Sequence, residues 1–154
     1  MRHILLVHGG LTPNGTTARL EQAVAAGVAE FAAEIELRRR PPQQAGIDDL
    51  LWCHGLLIGT PEKFGYLAGV IKDFLDRTYY PAQGKLNGLP YALFVSAGND
   101  GSGAVRALER IATGYGWNRI AEALVVRGEP DTAALQRCHE LGQTMAAGLS
   151  GGIF

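Results

Sequence analysis

Apolar residues follow two rhythms along this chain. Ile4 to Val7, Gly55-Leu56-Leu57-Ile58-Gly59, Tyr91 to Ser96 and Leu124-Val125-Val126 within Glu122–Arg127 are short unbroken runs. Such runs suit strands covered on both faces. Glu34 to Arg40 alternates apolar and charged residues, as a less covered strand does. Between the strands the spacing turns helical. Leu20, Val24 and Val28 mark a helix from Thr16 to Ala33. Leu50, Leu51 and Trp52, all turned inward, mark a short one from Asp48 to Trp52. Val70, Ile71, Phe74 and Leu75 mark Tyr66–Thr78, and Val105, Leu108 and Ile111 mark Ala104–Gly114. The closing helix, Asp131–Leu149, is N-capped by Asp131 and buried through Leu135, Leu141 and Met145. Pro41 to Gly46 is a break, Tyr79 to Gly88 a loop, and Ser150 to Phe154 a tail.

Strand and helix thus alternate five times, which predicts one α/β domain over residues 1–154, with a parallel sheet and helices on both faces. Ligands bind such sheets at the C-terminal edge, where the strand order changes direction. Three loops fall there: the segment after the first strand, Thr60 to Gly65, and Ser96 to Gly103.

The first loop carries the most chemistry. Gly9, Gly10 and Gly15 permit positive backbone angles and close approach of a ligand, while Thr12, Asn14, Thr16 and Thr17 offer side-chain donors. Free N–H groups and the dipole at the following helix start favour an anion. Gly10 to Thr17 almost spells the nucleoside-triphosphate loop, but Thr16 stands where that loop needs lysine. A monophosphate ester, held by amides and hydroxyls, fits better than ATP or GTP. An ordinary strand-to-helix turn capped by Thr or Asn is the plainer alternative.

In the second loop Pro61 adds stiffness and Phe64 and Tyr66 offer an aromatic face; the plainer reading is a helix cap with a core aromatic. In the third, Gly98, Gly101 and Gly103 let backbone approach a flat ring, although a capped glycine turn would look the same. A ring with a single phosphate tail describes FMN.

Composition narrows the setting. At 154 residues, 47% hydrophobic and 19% charged, the chain can bury a substantial core and is not disordered. A net charge of −1 gives no field to recruit nucleic acid or a membrane surface. Arg38-Arg39-Arg40, the only basic run, reads as a solvated strand edge. Cys53 and Cys138 are far apart among apolar neighbours, so buried free thiols are expected, without a metal site or disulfide. No run is long enough to span a bilayer, and Met1-Arg2-His3 leads straight into the first strand without a signal peptide, so a cytoplasmic protein is expected.

Three stretches resemble a known family. They are Asn14-Gly15-Thr16-Thr17-Ala18-Arg19-Leu20, then Gly59 to Tyr66 with Lys72-Asp73-Phe74-Leu75-Asp76-Arg77 behind it, and Gly84-Lys85-Leu86-Asn87-Gly88 leading to Ser96-Ala97-Gly98. Over nearly its whole length the chain resembles flavodoxin-fold FMN-binding proteins, close to the NAD(P)H-dependent FMN reductases and the tryptophan-repressor-binding-protein type of quinone reductase. The resemblance implies a flavodoxin-like three-layer sandwich whose five-stranded parallel sheet has the order 2-1-3-4-5. It implies FMN, with Thr12, Asn14, Gly15, Thr16 and Thr17 on the phosphate. Thr60, Pro61, Glu62, Lys63, Phe64 and Gly65 would line the isoalloxazine, and Ser96, Ala97, Gly98, Asn99, Asp100, Gly101 and Gly103 its far edge. The first loop is longer than the short flavodoxin loop and contains Pro13. The segment around Tyr79-Tyr80-Pro81 is too short for the insertion that helps form the quinone site in some relatives.

The same resemblance implies an oxidoreductase that takes NAD(P)H as co-substrate and passes electrons through FMN to a quinone-like small molecule. The flavin does the chemistry and no protein acid or base is required. Lys63 is either a steering group near the ring or a solvated lysine. His8 is expected as a core-edge histidine bonded to backbone. Relatives of this kind form homodimers or homotetramers, and Phe64, Tyr79, Tyr80 and Phe154 at the surface would suit such an interface. The alternative is a flavodoxin-type electron carrier without NAD(P)H activity of its own. Such carriers are typically strongly acidic, and this chain is not. A non-redox receiver-type domain would need an acidic cluster after the first strand, where His8-Gly9-Gly10 stands.

Overall fold

A computed structural model describes Met1 to Phe154. The strands are β1 (Arg2–His8), β2 (Ile35–Arg40), β3 (Gly55–Pro61), β4 (Pro90–Ala97), β5 (Asn118–Arg119) and β6 (Leu124–Arg127). The helices are α1 (Thr16–Ala29), α2 (Ile47–Trp52), α3 (Gly69–Ala82), α4 (Ser102–Tyr115) and α5 (Thr132–Ser150). All strand pairs are parallel and the order is β2-β1-β3-β4-β5, with β6 also on β4. This is the flavodoxin-like order predicted from the sequence. The fifth position is divided: β5 pairs with Pro90 and Tyr91, β6 with Phe94 to Ala97.

The unbroken apolar strands send alternate residues to opposite layers, as the two-residue repeat of a strand requires. Leu5, Val7, Leu56, Ile58 and Leu93 meet α2, α3 and α4 in one core. Ile4, Leu6, Leu57, Ala92 and Phe94 meet α1 and α5 in the other. Gly59 sits where a Cβ would lie 2.1 Å from the Phe94 ring, so this β3 position has room only for glycine.

Several boundaries differ from expectation. Helix α1 ends at Ala29, and turns carry the chain to β2. In α2, Leu50 is buried, but Leu51 falls on the outer face and is 47% exposed. Helix α3 begins at Gly69, not Tyr66, because Lys63 to Tyr66 close a tight hairpin and the Thr60 hydroxyl accepts the Ala68 N–H. It runs on to Ala82 with Pro81 inside its last turn, so the expected loop from Tyr79 is partly helical. Phe64, Tyr80 and Phe154 are exposed, Phe154 with its ring over Gly148, whereas Tyr79 is half-buried, edge-on to both Tyr80 and Tyr115. Cys53 and Cys138 are buried free thiols, and burial pushes them up to about 12 and about 11 respectively. No helix is long and apolar enough to cross a membrane.

Candidate functional site

The C-terminal ends of β1, β3, β4 and β6 enclose a cavity of about 420 Å³. One wall is the first loop and the start of α1, contributing Gly10, Leu11, Thr12, Gly15, Thr16 and Thr17. Pro61, Glu62 and Lys63 form the second wall, Ser96, Ala97 and Gly98 the third, and Gly128 with Glu129 the fourth.

The first loop is shaped by a turn in which the Gly15 N–H donates to the Thr12 carbonyl at 3.0 Å. Pro13 and left-handed Asn14 (φ +57°) occupy its centre, the arrangement of a type II turn. The positive angle therefore falls on Asn14 and not on Gly9, Gly10 or Gly15. Those glycines serve close approach: a Cβ on Gly10 would lie 2.9 Å from that of Thr17, and one on Gly15 3.0 Å from the Thr12 carbonyl oxygen.

Helix α1 then starts without a cap. Its N-cap is Gly15, no side chain bonds its first turn, and no acidic residue lies there. By contrast Glu62 caps α4 and Asp131 caps α5. An uncapped helix start with its first residues half-buried or buried leaves polar N–H groups in need of a partner, and it borders this cavity. The hydroxyls of Thr17 and Ser96, both buried, lie 2.7 Å apart and join α1 to the end of β4.

Glu62 is the brace between the second and third loops. One carboxylate oxygen accepts the Gly101 N–H at 3.0 Å; the other accepts those of Gly103 at 3.0 Å and Ala104 at 3.3 Å. Its own N–H donates to the Ser96 carbonyl at 2.8 Å. A Cβ on Gly103 would lie 2.0 Å from the Gly65 carbonyl oxygen, so the two loops touch backbone to backbone. The wall is thus set by one carboxylate and two glycines before any ligand arrives.

The expected site residues divide accordingly. Thr12, Gly15, Thr16, Thr17, Pro61, Glu62, Lys63, Ser96, Ala97 and Gly98 are brought to the cavity. Thr60 is fully buried, and its hydroxyl ties the second loop to α3, donating to the Pro61 carbonyl at 2.8 Å and accepting from Ala68 at 2.9 Å. Asn14 faces outward, its side-chain oxygen accepting from Gln22. Asp100 binds Ser102, while Gly65, Gly101 and Gly103 form the loop contact described above. Neither Asn99 nor Phe64 lines the cavity. Gly128 and Glu129 also line the cavity, though the sequence reading does not include them; Glu129 pairs with Arg19 of α1 at 2.8 Å. Their signal was available, since they follow a strand of the same parallel sheet and so lie on the same edge. His8 is a core-edge histidine as expected: its Nδ1 accepts the Gly10 N–H, and burial holds its pKa below the usual histidine value.

The model of a family described as NADPH-dependent FMN reductase matches residues 36–130. The chain belongs to this family. The matched span contains the second and third loops and Gly128-Glu129, and begins after the first loop. Family membership places the chain among FMN-binding proteins of flavodoxin-like fold. A flavodoxin of Aquifex aeolicus is 28% identical over 113 residues, which is 73% of this chain and 60% of that protein, so the family member spans less than two thirds of that relative's length. Its fold is shared by an archaeal flavodoxin (TM-score 0.81, 18% identity, 94% of this chain and 96% of that one). A WrbA-like flavodoxin from Agrobacterium tumefaciens also shares it (TM-score 0.75, 18% identity, 98% of both chains).

Proposed function

We propose that the chain is an FMN-dependent oxidoreductase that takes electrons from NAD(P)H and delivers them to a quinone-like acceptor. The observation that carries this reading is the uncapped start of α1, opening into a cavity walled by hydroxyls and by two braced loops. A terminal phosphate there would meet the amides of the first α1 turn and the Thr12 and Thr16 hydroxyls. A flat ring would then lie across Pro61 to Lys63 and Ser96 to Gly98. FMN supplies reversible two-electron chemistry when bound. The residues here hold and orient it: Thr17 and Ser96 fix one wall, and Glu62 fixes the two loops at their working separation. Lys63 has no ion-pair partner and sits on the cavity wall, where its charge favours an anionic ligand. Membership of a family described by NADPH-dependent FMN reduction supports the choice of donor.

A second reading, a carrier that passes electrons between proteins, is favoured by the Aquifex aeolicus flavodoxin match. Titration of the purified chain with FMN and FAD, followed at the flavin visible bands, tests the site; FMN is expected to bind well over tenfold tighter. NADPH consumption in the presence of FMN and a benzoquinone then separates an enzyme, which turns over, from a carrier, which does not.

A further inference from the structure

A second cavity, of about 450 Å³, lies beyond the Gly10–Thr12 backbone and shares those residues with the first. Its far wall is the end of β2 and the chain behind it, Arg39 to Gln43. The basic run is a solvated edge, as expected, with Arg39 and Arg40 exposed, but these arginines are also held in place. Arg39 donates from Nε and Nη2 to the two carboxylate oxygens of Glu21, both at 2.6 Å. Arg40 donates from Nε to Asp49 at 3.3 Å. In each case the anchor takes the Nε side, so Nη1 of Arg39 and both Nη groups of Arg40 have no protein partner.

Glu21 is buried in α1 and Arg39 is its sole partner. Burying the Glu21 carboxylate costs desolvation, and its pair with half-exposed Arg39 is weak ground for stability. What it achieves here is a guanidinium fixed in orientation at the cavity wall. Asp49 also accepts from Arg38 and from the Gly46 N–H, so it remains satisfied when Arg40 turns to a ligand. With Arg39 and Arg40 against Glu21, the lining carries a net positive charge. Neutral His8, its Nδ1 occupied, has Nε2 left as a donor. Leu11, Pro41, Pro42 and Val70 supply flat apolar surface beside these donors. Forked guanidiniums next to apolar walls suit a phosphate monoester on a nucleoside.

Resting on the pyridine-nucleotide reading above, we propose that this second cavity takes the 2′-phosphate and adjoining adenosine of NADPH, and that Arg39 and Arg40 set a preference for NADPH over NADH. The shared Gly10–Thr12 wall puts this end of the dinucleotide next to the flavin crevice. Glu21 is a positioning residue, acting through Arg39.

The test uses the FMN-loaded chain and Arg40→Ala, chosen because Asp49 keeps its other partners. Calorimetry compares adenosine 2′,5′-bisphosphate, adenosine 5′-monophosphate and inorganic phosphate. The bisphosphate is expected to bind at least tenfold tighter than the monophosphate, R40A to erase that difference, and Arg40→Lys to restore it in part. In steady state R40A is expected to lower the NADPH-over-NADH preference in kcat/KM about tenfold through KM. Equal binding of the two nucleotides would overturn the proposal. So would binding of inorganic phosphate as tight as that of the bisphosphate, or an R40A effect equal on both dinucleotides. Selective bisphosphate binding by a chain that oxidises neither dinucleotide would uphold the pocket and sink the electron-donor reading. NADPH oxidation with a preference untouched by R40A would do the reverse.

Discussion

Phe64 keeps its whole ring in solvent, at 107% exposure, and its backbone in the left-handed region at φ +52°. With Gly65 at φ +73° it forms the centre of a two-residue hairpin, closed by Lys63 and Tyr66 at 2.8 and 3.0 Å. Both central residues of such a turn need positive angles, which suits Asn or Gly and penalises a bulky side chain. The strain is not relieved by packing, so its use lies in what the ring meets from outside. Phe64→Gly is expected to raise unfolding stability by about 1 kcal/mol and to weaken FMN binding or lower turnover several-fold. Denaturant melts and FMN titration of the same variant check both halves; a stabilised variant with unaltered flavin behaviour would show that this ring, which does not line the cavity, takes no part in flavin binding. The motif Lys63-Phe64-Gly65 was visible in the sequence as a loop beside the ligand. Its turn type was not, because one glycine can satisfy several turn geometries. Thr60 shows the same limit: a hydroxyl at a strand end looks like a ligand donor until the structure gives it the Ala68 N–H.

At the scale of elements, α1 and α5 approach through reciprocal glycines. A Cβ on Gly142 would lie 2.0 Å from the Val24 carbonyl oxygen, and one on Gly27 2.0 Å from that of His139. Because α1 also begins at the cavity, anything that pushes it off α5 moves that wall. Gly142→Ala is expected to cost on the order of 1–3 kcal/mol and to raise the FMN dissociation constant, read from urea midpoints and flavin titration. The helices themselves were legible from their apolar spacing, and so was the Asp131 cap, whose side chain accepts the Ala134 N–H at 2.8 Å. Their ends were less so. The start of α3 depends on the distant Thr60 hydroxyl and its end tolerates Pro81, neither of which local propensity reports.

For the whole molecule, the alternation of apolar strands and amphipathic helices carried the parallel sheet and the cavity edge, while the strand order came from the family resemblance. The divided edge strand escaped it, because Asn118-Arg119 is two exposed residues whose only strand signal is pairing to Pro90 and Tyr91. A pH dependence also belongs here. His8 and His54 both titrate below the ordinary histidine value of about 6.5, in each case first through burial; for His54 the charges of His3, Arg2 and the N-terminus add to it. The His54 Nδ1 accepts the His3 N–H at 2.9 Å, so its neutral form is the bonded one. The unfolded chain therefore binds these protons more readily than the folded one. Stability is full above pH ~6.5 and declines as pH falls through the folded values. Denaturant midpoints between pH 8 and 5 are expected to fall accordingly, and His54→Asn, which keeps an acceptor at the same place, to flatten part of the slope.

The bare start of α1 has a practical consequence at the bench. In the proposed flavin site the attraction would come mainly from aligned amides and hydroxyls, with Lys63 the one unpaired charge beside them and Arg19 already tied to Glu129. Common salt, which screens both the helix dipole and the Lys63 charge, should pale the yellow colour of the preparation only in part. Sulfate or inorganic phosphate, by contrast, mimics the cofactor's tail and should bleach it, and the choice of buffer during purification would decide whether the protein leaves the column coloured.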